Sequence, residues 1–540
     1  KIPLQQVQVS VPNVGGGFGL KNKFHPAEAL AAWSSVQLGR PVAWQATRTE
    51  SFRSDVHGRA RRTTAALACD ADGNIQGLRV DQHADVGAYV SKNAGFILTA
   101  AFGSMVSGQY EIPAIHCRIV GAFTNGTPVD AYRGAGRPES SYTIERLVRR
   151  AAAELAVDPA AFRRQNQIDP DAFPYETPVG AVYDSGEYER AMETALEQVD
   201  YEGFRDRQAE ARAEDTYLGL GIANLTERSG TPHPESSAIR IHPTGTVTAY
   251  LGTMDTGQGH ETTFAQILSD QLGVPVDDVR IVEGDTEQVP EGTGSFGSRS
   301  TMMAGNALLE SSRKVLEDAR EVAAHALEAS VDDLVFEDGQ FAVKGAAQRS
   351  IDIAGVAEYV YGPGNLPPDI EPGLTATTFY RTETTYPFGT HIAIVEVDAD
   401  SWEVSIEQYI AVDDCGVQIN PKLVDGQIHG SVAQGIGQAL YEEVQYNDTG
   451  TAVAGSLSDY VLPSAGQLPE IEVESTETPS PRNELGVKGI GESGCIAAPP
   501  AVVNAVVDAL EPFGVQNVQM PVSPETVWQA VRDADTNGLE

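Results

Sequence analysis

Basic residues are scarce in this chain. Only 37 Lys and Arg stand against 76 Asp and Glu, a formal net charge of −39. Such a surface repels a phosphate backbone and an anionic bilayer alike, which excludes nucleic-acid binding and electrostatic docking on a membrane. No acidic block concentrates the charge, which is spread along the whole chain. Diffuse acidity of this size suits high salt, where self-repulsion is screened, so a halophilic source is expected.

Cysteine is nearly absent. Cys69, Cys117, Cys415 and Cys495 are the four present, and none belongs to a C-x-x-C pair. This excludes a zinc ribbon, an iron–sulfur cluster and a disulfide framework encoded in this chain. No apolar run is long enough to span a bilayer, and no signal peptide is read, so a cytoplasmic protein is expected. The chain opens on Lys1 and runs straight into a strand-like segment, which reads as a piece that starts inside a domain.

What is present is a globular composition, 41% hydrophobic and 21% charged, with 53 glycines in 540 residues. That length exceeds one ordinary core, so at least two domains are expected. Residues 2–11 alternate as a strand, followed by a helix over 26–38 and strands near 41–46, 59–70 and 75–86. The last two are joined by the hairpin signal Asp70-Ala71-Asp72-Gly73-Asn74. A helix is predicted from about Ser140 to Leu155, ended by Asp158-Pro159. Residues 200–216 are charged, helical in composition and poor in large apolar groups, and read as a connector. Beyond it come strands near 218–226, 237–242, 246–252 and 278–283, a hairpin over 391–398 and 402–412, and helices over 423–442 and 496–511. The pattern predicts an α+β fold: two domains, 1–199 and 217–540, of antiparallel hairpins backed by helices.

Four Gly-rich segments and one Glu carry the chemistry. Gly15-Gly16-Gly17-Phe18-Gly19 is either a tight turn or a nest of backbone N–H groups. In Ala131-Tyr132-Arg133-Gly134-Ala135-Gly136-Arg137-Pro138-Glu139, Arg133 offers a bidentate fork to a carbonyl or carboxylate, or else a surface ion pair. In Gly252-Thr253-Met254-Asp255-Thr256-Gly257-Gln258-Gly259-His260, Gln258 presents both a donor and an acceptor. Gly292-Thr293-Gly294-Ser295-Phe296-Gly297-Ser298-Arg299-Ser300 precedes a helix and reads as a phosphate site or a helix cap. Gly486-Val487-Lys488-Gly489-Ile490-Gly491-Glu492-Ser493-Gly494 places a carboxylate among glycines, ahead of a Pro-broken apolar stretch, where it can accept a proton from a bound group. No Walker A sequence occurs, and Leu20-Lys21-Asn22 follows Gly19 where a dinucleotide fingerprint needs a third Gly. These residues together suggest a large phosphate-bearing cofactor held by loops of two domains, with one Glu and one Arg facing a small substrate. His25, His260 and His429 lack ligand spacing and read as hydrogen-bonded side chains, and Cys495 as packing.

Taken in order over nearly the whole chain, with Tyr183-Asp184-Ser185-Gly186 and Gln434-Gly435-Ile436-Gly437-Gln438-Ala439-Leu440-Tyr441, these segments resemble the molybdopterin-binding large subunit of the xanthine dehydrogenase / aldehyde oxidase / carbon monoxide dehydrogenase family. The resemblance implies a molybdenum–molybdopterin cofactor, in the cytosine dinucleotide form, with the metal held through the pterin and not by protein ligands. It places Gly17, Phe18 and Gly19 at the metal face, with Gly16 also cofactor-binding, and Gln258 and Gly259 at the pterin and metal. Ser298, Arg299, Ser300 and Gln434 fall on the pterin and its phosphates, and Gly489 and Gly491 are further cofactor-binding positions. Glu492 is the implied general base and Arg133 sits in the loop that faces substrate. The implied reaction is hydroxylation of an aldehyde or N-heteroaromatic compound, with water as the oxygen source.

The resemblance further implies an FAD-binding medium subunit and a small 2Fe–2S subunit, assembled as a dimer of heterotrimers, and an N-terminal part with an early cofactor-contacting Gln preceding this chain. The copper-containing carbon monoxide dehydrogenases carry Cys where Gly134 stands, and the xanthine enzymes carry a purine-binding Glu where Asn22 stands. Carbon monoxide oxidation, and a cofactor-free assembly subunit, are the alternative readings. The charge reading generates one expected outcome: lowering the salt concentration unfolds the protein, followed by circular dichroism across a salt series. Full stability in dilute buffer would overturn the halophilic expectation.

Overall fold

A computed structural model of the chain describes residues 2–368 and 370–537; Lys1, Asp369 and residues 538–540 lie outside the described part. The turn after Cys69 forms as its sequence dictates. Asp70 Oδ1 accepts the backbone N–H groups of Asp72 and Asn74 at 3.0 and 2.9 Å, and β1 (Arg61–Cys69) folds back on β2 (Ile75–Gly87). β3 (Ile115–Phe123) adds to the far edge of β2 in parallel. The helix Arg137–Glu154 buries Ile144, Val148 and Ala152 against Leu78 and Val80 of this sheet.

β4 (Tyr175–Glu176) and β5 (Val182–Tyr183) form a short ladder. In chain order follow β6 (Tyr217–Thr226), β7 (Glu235–Ile241), β8 (Val247–Leu251), β9 (Val279–Val282), β10 (Leu334–Glu337), β11 (Gln340–Val343), β12 (Ala346–Asp352), β13 (Thr375–Tyr380), β14 (Phe388–Val397), β15 (Val404–Asp414) and β16 (Ile471–Thr476). They sort into sheets of order β13-β7-β8-β9, β16-β15-β14-β6 and β10-β11-β12. The α+β class holds, but hairpins alone do not describe it. β2–β3, β8–β9 and β15–β16 are parallel pairs. A parallel pair needs a crossover, and the helices His260–Leu272 and Pro421–Leu440 supply two of them.

Several local expectations are corrected. Residues 2–11 form no strand: they hold a short turn of helix at Leu4–Gln6 and a single bridge from Ser10 to Asp285. Alternation without a sheet edge to join does not make a strand, and residues 2–10 stay exposed. Residues 41–46 are likewise irregular. The helix expected at Ser140 begins at Arg137, with Pro138 in its first turn where the missing N–H costs nothing. Asp158-Pro159 opens the next helix, Pro159–Asn166, with the Asp158 carboxylate capping Ala160 and Ala161. The helical composition of residues 200–216, by contrast, is borne out by the helix Tyr201–Arg212, which buries Tyr201, Phe204 and Gln208; Gln208 Nε2 donates to Leu218 O on β6.

The helix expected over 496–511 forms in spite of Pro499 and Pro500. It is a continuous helix, Ser493–Ala509, and every one of its residues is buried. Each interior proline costs roughly 3 kcal/mol, so burial on all sides outweighs helix propensity here. Three glycines let neighbours reach this helix at backbone distance. A Cβ at Gly219 would lie 2.0 Å from Ala505 O, and one at Gly221 2.1 Å from Ala501 O; at Gly435 it would meet Ala498 Cβ at 2.7 Å. Strand β6 and the helix Pro421–Leu440 thereby clamp it. Among the described residues no helix is long and apolar enough to cross a membrane. Gly221→Val places a branched side chain where the Ala501 carbonyl stands. Overpacking of this kind costs about 1–3 kcal/mol or more, so thermal unfolding of the variant is expected at clearly lower temperature than wild type.

Candidate functional site

The Gly-rich segments, separated by hundreds of residues, meet in one place. A Cβ on Gly19 would strike Ala131 O at 2.4 Å, so the first two loops touch through backbone. A Cβ on Gly17 would lie 3.9 Å from Thr256 Cγ2. Met254 N donates to Ser295 Oγ at 2.9 Å, tying the third loop to the fourth. Ser298 Oγ donates to Glu492 Oε2 at 3.2 Å, tying the fourth to the last. Gly134 N donates to Glu492 Oε1 at 2.7 Å, which closes the ring back onto the second.

Glu492 occupies the N-cap of the buried helix Ser493–Ala509. A helix N-terminus favours negative charge, and the chain adds a cation: Arg137 Nη2 donates to Glu492 Oε2 at 2.5 Å. The Glu492 side chain is 14% exposed and that of Arg137 8%. Burial alone would raise the Glu492 carboxyl. Arg137 first, then the Gly134 N–H and the nearby Arg133 charge, outweigh it and hold the group below the ordinary carboxylate range. Glu492 is therefore an anion with a proton-accepting oxygen among glycines.

The other expected residues fall as follows. Gly16 and Gly19 take positive φ, and Phe18 between them is 54% exposed. Gln258 Oε1 accepts the Thr256 hydroxyl at 2.9 Å, and Gly259 caps the helix His260–Leu272. Ser300 Oγ donates to Ser295 Oγ at 3.1 Å. A Cβ on Gly489 would meet Ser298 O at 1.8 Å, so the fourth and last loops are in backbone contact. Arg133 lies beneath this junction. Its Nε donates to Gly491 O at 2.7 Å, Nη2 to Gln427 O at 3.3 Å and Nη1 to Gln434 Oε1 at 3.4 Å, while its guanidinium covers the Phe18 ring at 5.3 Å. Arg133 thus holds the Glu492 loop to the Pro421–Leu440 helix through its own hydrogen bonds.

Arg299 needs a correction. It was expected on phosphates, but it is fully buried and ion-paired to the equally buried Glu235. Its Nη1 and Nη2 also donate to Gly294 O and His233 O, at 2.8 Å each. A guanidinium enclosed in this way organises the loop from behind. His260 pairs with Glu283 at 3.0 Å, and His25 and His429 are likewise hydrogen-bonded or ion-paired. The Cys495 thiol is buried 3.7 Å from Arg59 Nη2.

Two residues central to the site were not singled out by sequence reasoning. Arg137 sits four residues beyond Arg133 in the same motif, and its position as first residue of a helix was masked by the late helix start. Glu227 follows directly on the apolar strand β6, fully buried, its Oε1 3.8 Å from Arg137 Nη2. A Glu ending an apolar strand was the available signal.

The loops fit a large polar cofactor. Cβ positions at Gly15, Gly257, Gly294 and Gly297 would meet nothing within 4 Å, so these backbone faces are open to a ligand. The donors on offer are backbone N–H groups, hydroxyls and an amide, which suit pterin and phosphate oxygens. Among the described residues no group of three or more His, Cys, Asp and Glu side chains is placed to hold a metal ion.

Comparison with known proteins places this geometry. Residues 1–167 and 194–469 each match a molybdopterin cofactor-binding domain family. The carbon monoxide dehydrogenase large chain of Hydrogenophaga pseudoflava is 38% identical over 98% of this chain and 68% of its own length. The nicotine 6-hydroxylase large subunit of Paenarthrobacter nicotinovorans is 37% identical over 97% of this chain and 66% of its own. Among solved structures, quinoline 2-oxidoreductase from Pseudomonas putida 86 superposes with a TM-score of 0.95 at 38% identity, covering 98% of this chain and 70% of that one. The chain thus spans about two thirds of the length of these relatives. Arg137→Leu would leave two buried carboxyl groups without their cation. Breaking a buried pair costs about 3–5 kcal/mol, and denaturant unfolding of the variant should show a loss on that scale.

Proposed function

The chain belongs to the molybdopterin-binding large-subunit family of molybdenum-dependent oxidoreductases, and from that premise we propose that its reaction is the hydroxylation of an N-heteroaromatic compound or an aldehyde. The observation that carries the reading is Glu492: an anionic carboxylate at a helix N-terminus, fixed by Arg137 and the Gly134 N–H, where five loops converge. When bound, the molybdenum–pterin group supplies the two-electron redox chemistry. Gly16, Gly17, Phe18 and Gly19, Gln258 and Gly259, and Ser298, Ser300 and Gln434 would hold it. The open glycine faces suit a cofactor extended by a nucleotide, and the cytosine dinucleotide form is the one proposed.

The protein's own contribution is a base in place. Glu492 accepts the proton released as oxygen is delivered to the substrate carbon. Arg137 keeps the carboxylate anionic beforehand and oriented by a charge-assisted hydrogen bond. Arg133 fixes the Gly491 carbonyl beside it. Electrons leave through partner subunits, proposed as an FAD-binding and a 2Fe–2S subunit, because this chain has no motif for either. The assignment includes a cytoplasmic location, a dimer of heterotrimers, and a division into domains 1–199 and 217–540 with 200–216 between them.

Carbon monoxide oxidation is the second reading, favoured by the likeness to the Hydrogenophaga pseudoflava chain. Gly134 speaks against a copper thiolate at this point. Its φ is +97°, and a Cβ there would lie 2.3 Å from Pro138 Cγ. A cysteine needs both a strained backbone and a displaced proline. Three assays test the reading. Glu492→Gln should lower kcat by about 10²–10⁴-fold with molybdenum and pterin content unchanged; undiminished turnover refutes the role of Glu492. Release and identification of the pterin tests the dinucleotide. Turnover of quinoline or benzaldehyde without turnover of carbon monoxide supports the first reading, and the reverse supports the second.

A further inference from the structure

Two carboxyl groups share one guanidinium in this site. Arg137 Nη2 donates to Glu492 Oε2 at 2.5 Å and lies 3.8 Å from Glu227 Oε1. Glu227 is completely buried. Its Oε2 accepts the Ser493 hydroxyl at 3.1 Å. Its Oε1 is enclosed and has no donor, although its neighbour Arg137 is engaged with Glu492. An anion with an orphaned oxygen in such a place is costly. A neutral carboxylic acid is not, because its O–H becomes a donor with an acceptor at hand.

The geometry points to Glu227 as a neutral carboxylic acid at neutral pH whose hydroxyl donates to the Glu492 carboxylate, a positioning residue that keeps one proton within the pair and leaves Glu492 the anion. The inference rests on the reading of Glu492 as base. The charged or titratable groups facing the pair are Arg137 at the head of its helix, Arg133 in the preceding loop, and Cys495 one turn into the Glu492-capped helix. Ser298 and Ser493 add hydroxyls. Burial pushes the Glu227 carboxyl up to about 8; Arg137 opposes that shift and the Glu492 charge adds to it. Glu492 is held low by the same Arg137. Environment has separated two like groups into an acid and a base, as like charges near one another require. When Glu492 takes a proton from the reacting group, Glu227 keeps its own, and no further bond changes. Above the Glu227 transition two anions compete for Arg137, and the donor that positions Glu492 is lost.

The experiment uses the holoenzyme complex, wild type and two variants. Glu227→Gln keeps a donor but cannot ionise. Glu227→Ala removes it. In wild type, kcat should fall on the alkaline side as Glu227 ionises. E227Q should lose that limb while retaining measurable turnover, and E227A should lose about tenfold or more in kcat at neutral pH, the scale of a hydrogen bond to a charged group. Infrared difference spectra give a readout independent of turnover: a protonated-carboxyl band present in wild type at neutral pH, absent in E227Q, and lost as pH rises past the limb. An identical alkaline limb in E227Q, or absence of the band, overturns the proposal. Should Glu492→Gln remain fully active while the band is present, the base assignment fails and the proton-sharing pair stands.

Discussion

A carboxylate at the head of a buried helix must be neutralised where it stands, and the rest of this site follows from that requirement. Glu492 caps the helix Ser493–Ala509, and Arg137 is the first residue of the helix Arg137–Glu154. The two helices bring their N-termini to the same point. Each end favours negative charge, and the guanidinium of Arg137 supplies the formal counter-charge at 2.5 Å. The backbone turn that precedes Arg137 donates the Gly134 N–H to the other oxygen. Cation, backbone donor and helix end thus come from one segment, which explains why Gly134 and Arg137 sit three residues apart.

Keeping that helix buried imposes the second constraint, which is distance. A strand can lie on a helix at backbone contact only without side chains between them, and Gly219 and Gly221 provide the gap. With those contacts the helix tolerates Pro499 and Pro500. The same economy recurs at the site, where Gly19 rests on Ala131 and Gly489 on Ser298. Other glycines, at 15, 257, 294 and 297, face open space. Those in contact build the scaffold, and those facing space leave room for a cofactor.

Buried ionic residues divide in the same way. Arg299 with Glu235 is a closed pair between the fourth loop and the start of β7, with neither side chain exposed. It stiffens a loop and offers nothing outward. Arg137 with Glu492 is partly open and shared with Glu227. Both arginines lie in Gly-rich motifs, and the sequence alone does not distinguish them. What separates them is whether the partner carboxylate reaches the loop junction.

Much was legible in the sequence. The α+β class, the helix over Pro26–Leu38, the turn at residues 70–74 and the β14–β15 hairpin follow from short-range pattern, because turn chemistry and hydrophobic period act over a few residues. The family was legible from the order of its Gly motifs, and Glu492 from a carboxylate among glycines. Two things were settled only by tertiary contacts: parallel edge strands, whose neighbours are set by crossovers, and the partners of each charge. Residues 2–11 have the alternation of a strand and no sheet to join. Arg137, Glu227 and Glu492 are joined only in space, since a cation chooses its carboxylate by distance and desolvation, and neither quantity is written along the chain.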